Sequence, residues 1–245
     1  MSERKHIVSA FEQEIETLKA RILEMGGLAE RLVTDAISAL DMRDVELAAR
    51  TVAADQRIDE MEIAIEEQAV LMLARRQPLA MDLREVMAAV RIASNLERVG
   101  DLAKNIAKRT AAIGTERQPR QVSRGVNHMA DLALLQLRDV LNACAGRDTA
   151  KAVAVRNRDG EIDALYNSLF RELLTYMMED PRSITMATHL LFCAKNIERI
   201  GDHATNIAET VYYLVTGERL SDERKKDDSH NYATVLAPGK RNHAE

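Results

Sequence analysis

Residues Asn95–Ala107 read NLERVGDLAKNIA, and residues Asn196–Ala208 read NIERIGDHATNIA. Nine of the thirteen positions are identical at an offset of 101 residues. Self-similarity at a fixed spacing marks one structural unit used twice. Both copies keep a carboxylate pair four residues apart, Glu97/Asp101 and Glu198/Asp202. The repeat continues upstream at an offset of 104: Asp35 corresponds to Asp139, Asp44 to Asp148, and the pair Asp55/Asp59 to Asp159/Asp163.

The residues around these segments favour helix throughout. The 245-residue chain is 46% apolar but only 3% aromatic, with no Trp and with abundant Ala, Leu, Met, Glu and Arg. That is a helix-forming composition with little for a sheet to use. The four prolines, at 78, 119, 181 and 238, fall outside the periodic segments and read as boundaries. Gly114, Gly146 and Gly217 follow periodic stretches as helix terminators, and Asp44 and Asp148 suit N-caps. The expected helices run about 5–40, 45–75, 80–112, 120–145, 149–178 and 183–216. The expected fold is all-α: six long helices arranged as two pseudo-symmetric three-helix bundles. Residues 1–115 form the first repeat, 116–216 the second, and 217–245 a charged, disordered tail.

Several function classes become poor fits. A net charge of −5 argues against a general nucleic-acid binder. The charged opening MSERKHIVSAFEQEIE has no apolar core of a secretory signal, and no stretch has the length and apolarity of a membrane span. Cys144 and Cys193 sit in apolar helical patterns and read as reduced core residues of a cytoplasmic protein. No phosphate-binding G-x-x-x-x-G-K-[ST] loop is present, so ATP hydrolysis is not expected.

The four acidic pairs carry the chemistry. Residues four apart share one helix face, where like charges cost roughly 0.2–0.5 kcal/mol unless neutralised. Counting from Pro78, Asp59 lies 19 residues before and Glu97 19 after, with Asp55 and Asp101 each 23 away. Around Pro181, Asp163 and Glu198 lie 18 and 17 away, and Asp159 and Asp202 lie 22 and 21 away. Antiparallel helices at about 1.5 Å per residue therefore bring four carboxylates to one level in each half. An oxygen-rich set suits hard cations such as iron, manganese or magnesium over a thiolate zinc site. Asn105 and Asn206, one turn along, offer further amide oxygens. The bland alternative is ion pairing: Arg98 reaches toward Asp101 and Arg199 toward Asp202, with Lys104 a helper that Thr205 does not repeat. The residues alone leave both readings open. His203 has Leu102 as its counterpart and is a poor general ligand. Gly100 and Gly201, each costing about 1 kcal/mol in a helix, read as points of close helix approach. The methionines read as core filler.

These motifs resemble the PhoU family of phosphate-uptake regulators. The likeness rests on the duplicated N-[LI]-E-R-[VI]-G-D-x-A-x-N-I-A segments with their preceding D-x-x-x-D pairs, and covers about residues 1–216. It implies two three-helix bundles with metal sites at the acidic motifs. The first site would use Asp55, Asp59, Glu97 and Asp101, and the second Asp159, Asp163, Glu198 and Asp202. The ion's identity stays open among iron, manganese, magnesium and zinc. The resemblance further implies a non-enzymatic cytoplasmic adaptor between the ATPase of a phosphate ABC transporter and a sensor histidine kinase. Such an adaptor restrains uptake and holds the phosphate-starvation regulon off when phosphate is plentiful. A homodimer is expected on the same basis, and the kinase contact is expected to be helix-to-helix packing. The rival readings are a metal buffer, a bundle whose acids bind nothing, and a di-iron-type oxidase. The oxidase is disfavoured because the only Glu-x-x-His is Glu3/His6, near the N-terminus.

Overall fold

The structure, a computed structural model, describes residues 2–114 and 120–220, with side chains from residue 11 onward. Among these residues there are six long helical rods and no strand. Helix α1 spans Ser2–Met42; α2 (Val45–Ala54) and α3 (Gln56–Arg76) form one interrupted rod; α4 spans Met81–Ile113. The second half repeats the plan with α5 (Arg120–Gly146), the interrupted rod α6 (Thr149–Asn157) and α7 (Asp159–Glu179), and α8 (Ile184–Thr216). Pro78 lies in the α3–α4 turn, and Pro181 opens a single 3-10 turn before α8. Pro119, Pro238, the 115/116 boundary and most of the expected tail lie outside the described residues.

Capping follows the sequence closely. Asp44 accepts a hydrogen bond from Leu47 N at 2.9 Å, and Asp148 accepts one from Lys151 N at 2.9 Å. These side chains satisfy amides left unpaired at the helix start. Gly114 (φ 62°) and Gly217 (φ 77°) close α4 and α8 in left-handed territory, as glycine readily does. Gly146 does not serve this role, contrary to expectation. It remains helical, and the left-handed position passes to Arg147 (φ 50°), as it passes to Arg43 (φ 58°) in the first half. The amides of Asp44 and Asp148 then bond back to Ala39 O (2.9 Å) and Ala143 O (3.0 Å), a closure that recovers orphaned carbonyls.

The apolar stripes set the layers. α4 and α8 pack against each other along the molecular centre, with Leu96, Val99, Ala103, Ile197, Ile200 and Ala204 all buried. α1 and α5 flank this pair and also touch each other. The rods α2/α3 and α6/α7 lie outside and, among the described residues, pack only on helices of their own half. Two three-rod bundles thus share the α4–α8 and α1–α5 seams. Polar bonds pin the second seam: Asn127 and Ser123 donate to Asp41 (2.8 and 3.2 Å), and Arg138 pairs with Glu30 at 2.5 Å. Among the described residues, no helix is long and apolar enough to cross a membrane.

Candidate functional site

The acidic pairs occupy equivalent seams, each between an outer rod and a central helix. The reason the helices can approach there is glycine. A Cβ on Gly100 would stand 2.9 Å from Asp55 Oδ1 and 3.0 Å from Ile58 Cδ1. A Cβ on Gly201 would stand 2.8 Å from the Cδ1 of Ile162, the residue equivalent to Ile58. Both glycines are buried in the middle of their helices. Replacing Gly201 by Val is expected to cost about 2 kcal/mol through overpacking of Ile162. Urea unfolding measures this, and a change below about 0.5 kcal/mol would reject close approach as the glycine's role.

Each seam also carries the interruption of its outer rod. At Asp55 the chain tightens locally, with Ile58 N bonded to Asp55 O at 2.8 Å. At Arg158, Glu161 N bonds to Arg158 O at 3.1 Å, and the Gln136 side chain donates to the same carbonyl at 3.0 Å. Such i→i+3 bonds are the tighter 3-10 pattern. The breaks fall at Asp55 and at Arg158, the residue just before Asp159, and hydrophobic periodicity does not mark them.

In the first half, Asp55 is only 2% exposed. The Lys104 ammonium bonds to Asp55 Oδ2 and to Asp101 Oδ1, the latter at 2.6 Å, bridging the outer rod to α4. The axial register read from Pro78 is therefore correct: Asp55 and Asp101 stand at one level. Arg98 adds contacts to Asp101 (3.6 Å) and Glu97 (3.3 Å). Burial and the Asp55 carboxylate raise the Asp59 carboxyl above its ordinary value. Burial, then the neighbouring Asp101, pushes Glu97 up to about 7. Lys104, despite its own burial, is held charged by Asp101 and Asp55, well above the usual ammonium range. Asp101 is lowered: its burial is outweighed by the bond from Lys104.

In the second half a neutral group replaces the ammonium. Thr205, at the Lys104 position, donates to Asp159 Oδ1 at 2.9 Å. Glu198 accepts from Lys195, three residues earlier, at 2.6 Å. Burial raises Glu198 even so, with Asp202 and Asp163 adding to the effect. Asp163 and Asp202 thus lie close enough to Glu198 to act on it. His203 is turned elsewhere. Asn95 donates through its amide nitrogen to Arg91 O (2.8 Å), so its oxygen faces His203 Nδ1 at 2.9 Å and takes that proton. Burial, then Arg199 and Arg98, pushes His203 down to about 4, leaving it neutral. Asn105 and Asn206 are both exposed.

Each acidic seam has a lysine bonded to at least one of its carboxylates. The buried Oδ1 of Asp55 and the buried Oε2 atoms of Glu97 and Glu198 accept no hydrogen bond, as oxygens that would take a cation do. Yet among the described residues no three acidic, histidine or cysteine side chains converge as a ready ligand set. In the first half Lys104 stands between two of the four acids, so that donor set does not fit a metal as it stands. In the second half the Lys195 ammonium already bonds Glu198 Oε1, while Glu198 Oε2 is buried and undonated. The thiols offer no competing centre: burial pushes Cys144 up to about 11 and Cys193 up to about 12.

Away from the acids, a cavity of about 330 Å³ opens between α1, α4 and the C-terminal ends of α5 and α8. Its wall is apolar, including Leu18, Ile22 and Leu214, and its rim carries Lys19, Glu85 and Arg147. No local sequence pattern marks it, because its lining comes from four separate helices.

Comparison with known proteins matches a family model described as the PhoU domain twice, at residues 22–110 and 126–211. The chain is 58% identical over 223 residues to the phosphate-specific transport system accessory protein PhoU homolog of Rhizobium meliloti (strain 1021), covering 91% of this chain and 94% of that protein. The crystal structure of PhoU from Pseudomonas aeruginosa superposes with a TM-score of 0.82 at 39% identity, covering 85% of this chain and all (100%) of that one. The phosphate transport system regulatory protein PhoU from Streptococcus pneumoniae gives 0.80 at 31% identity, covering 86% of this chain and 99% of that one.

Proposed function

Because this chain belongs to the PhoU family, we propose that it is an accessory protein of a phosphate-specific transport system. In this reading it restrains phosphate uptake and keeps the phosphate-starvation regulon off when phosphate is plentiful. It does so by coupling the ATPase subunit of the phosphate ABC transporter to a sensor histidine kinase. It works in the cytoplasm, as a homodimer, and binds partners rather than turning over a substrate. The observation that carries this reading is the 58% identity, over nearly the whole chain, to a relative named for that transport system.

The architecture supports an adaptor. Among the described residues the outer rods pack only on helices of their own half, which leaves the tips of the α3–α4 and α7–α8 hairpins for contact with other proteins. Their tips carry exposed apolar side chains: Leu79, in the α3–α4 turn, is 80% exposed, and Met178, in the last turn of α7, 84%. Exposed large apolar groups at corresponding ends of a duplicated body suit helix-to-helix docking of the kind a kinase coiled coil provides.

We further propose that the carboxylate seams include metal-binding residues. Asp55, Asp59, Glu97 and Asp101 belong to the first, and Asp159, Asp163, Glu198 and Asp202 to the second. A bound iron, manganese, magnesium or zinc ion would offset clustered charge and cross-link an outer rod to α4 or α8. The role is structural or regulatory.

The test of the adaptor reading is affinity capture of the full chain from its host grown in high phosphate. Recovery of the transporter ATPase and the kinase is expected, weakened by Leu79→Asp and Met178→Asp with the fold retained. Recovery of neither partner, in cells that express both, would overturn it.

A further inference from the structure

The cavity between α1, α4 and the ends of α5 and α8 occurs at one end of the duplicated frame. At the corresponding place at the other end, Ser123 and Asn127 both donate to Asp41 and pin α5 to α1. Offsets of 104 and 101 put Lys19, Leu23, Ala145 and Ala88 where that closed end has Ser123, Asn127, Asp41 and His189. Alanine in place of both Asp41 and His189 removes the acceptor and the bulk. About 330 Å³ is left open, walled by Leu18, Ile22, Ile92 and Leu214. That is the small end of the roughly 300–1,000 Å³ that ligand pockets occupy. The chain leaves α8 at this same wall, since Leu214 stands in the helix's last turn. Gly217 then turns the backbone in left-handed conformation (φ 77°) against the Arg84 guanidinium, with no room for a Cβ. Arg84 Nε is buried there without an acceptor among the described residues. In the sequence beyond, residues 221–231 read SDERKKDDSHN, and 232–237 read YATVLA, the one apolar run after residue 220.

We propose that this cavity is a docking site whose occupant is the chain's own C-terminal apolar segment, residues 232–237, with Val235 and Leu236 against the apolar wall. The 15 residues from 217 to 231 reach up to about 50 Å when extended, ample for a site whose wall includes Leu214. Tethering holds the segment at an effective concentration on the order of millimolar, so modest apolar burial suffices to keep it there. Asp227 and Asp228, just before the run, carry the charge that the buried Arg84 guanidinium lacks as a partner. An apolar segment of another protein must displace this built-in occupant before it can use the seam. The matched family domain ends at residue 211, so the docking segment is an addition to the shared frame.

The experiment uses Cys144, a half-buried thiol that lines the cavity. The full chain carrying Leu236→Cys is oxidised with oxidised glutathione at low micromolar concentration, and disulfides are mapped by mass spectrometry after proteolysis. A disulfide joining positions 144 and 236 of one chain is expected. It should form at least 10-fold faster than the corresponding disulfide in Asn242→Cys, where the new thiol lies on the same tail outside the apolar run. Adding Val235→Asp to Leu236→Cys keeps tether and thiol but removes apolar contact, and should slow the reaction at least 5-fold. Equal rates for positions 236 and 242, or no slowing by Val235→Asp, would indicate chance encounter along a tether and overturn the proposal. Absence of any disulfide between positions 144 and 236 overturns it as well. A disulfide found only between two chains assigns the segment to a second copy and overturns docking within one chain. All of these substitutions lie beyond α8, and circular dichroism checks that the helical body is unchanged.

Discussion

Replacing Lys104 by Met is expected to destabilise the metal-free protein by about 3–5 kcal/mol, the usual cost of removing one partner of a buried ion pair. Asp55 is 2% exposed and its Oδ1 already lacks a hydrogen-bond donor, so losing Lys104 strips Oδ2 as well. The buried carboxylate would then face Asp59 and Asp101 with no ammonium between them. Adding Asp55→Asn removes the stranded charge and should restore more than half of the loss, because an unpaired buried amide costs only about 1–3 kcal/mol. Urea unfolding in chelating buffer at neutral pH measures both. A loss below about 1 kcal/mol in the single variant would show that the ammonium does not hold the seam together.

Glu97 provides the second large effect, and it depends on pH. Its carboxyl is raised from 4.5 to about 7 in the folded chain, first by burial and then by the Asp101 carboxylate, with Arg98 opposing. Between those values the folded state binds more protons than the unfolded state, so stability falls as pH rises. The contribution is fully present below about 4.5 and lost as pH passes about 7. Glu97→Gln cannot ionise and escapes the loss. It should match the natural chain at pH ~4 and exceed it by about 2–3 kcal/mol at pH ~8, following about 1.36 kcal/mol per pKa unit. Unfolding midpoints across that range, with metal chelated, test this. A gap that stays constant with pH would mean that Glu97 is not held protonated by its surroundings.

The large features were legible because they are periodic. Proline positions and helix periodicity placed the rods, and counting residues outward from Pro78 put Asp55 level with Asp101, where Lys104 now joins them. Gly100 and Gly201 were readable as close approaches because only a missing Cβ explains a glycine in mid-helix. What stayed hidden depends on rotamers and on contacts between elements far apart in sequence. Lys104 is one turn from Asp101 and was recognisable as its partner, but its reach to Asp55, 49 residues away, required the packed seam. The left-handed turn at Arg147 went unread because Gly146 is the stronger local signal, and backbone bonding to Ala143 outweighed it. His203 followed the same logic. Its lack of a counterpart argued against ligation, but only the α4–α8 seam supplies Asn95 as its partner.

That pairing has a further consequence for symmetry. Asn95 finds His203, but Asn196, its equivalent, has Leu102 at the corresponding place, and Asn196 Nδ2 is buried without an acceptor. The two halves are thus alike in backbone and register while differing in polar chemistry at the central seam as well as at the acidic ones. Duplication supplies the frame, and single substitutions within it give each half its own polar contacts.

We propose that this chain holds phosphate-responsive gene expression off. The direct measurement is a phosphate-starvation reporter in the host, grown in high phosphate, with this chain deleted and then restored. The expected result is a reporter that switches on after deletion and off again after restoration. A reporter that stays silent through both changes would contradict it.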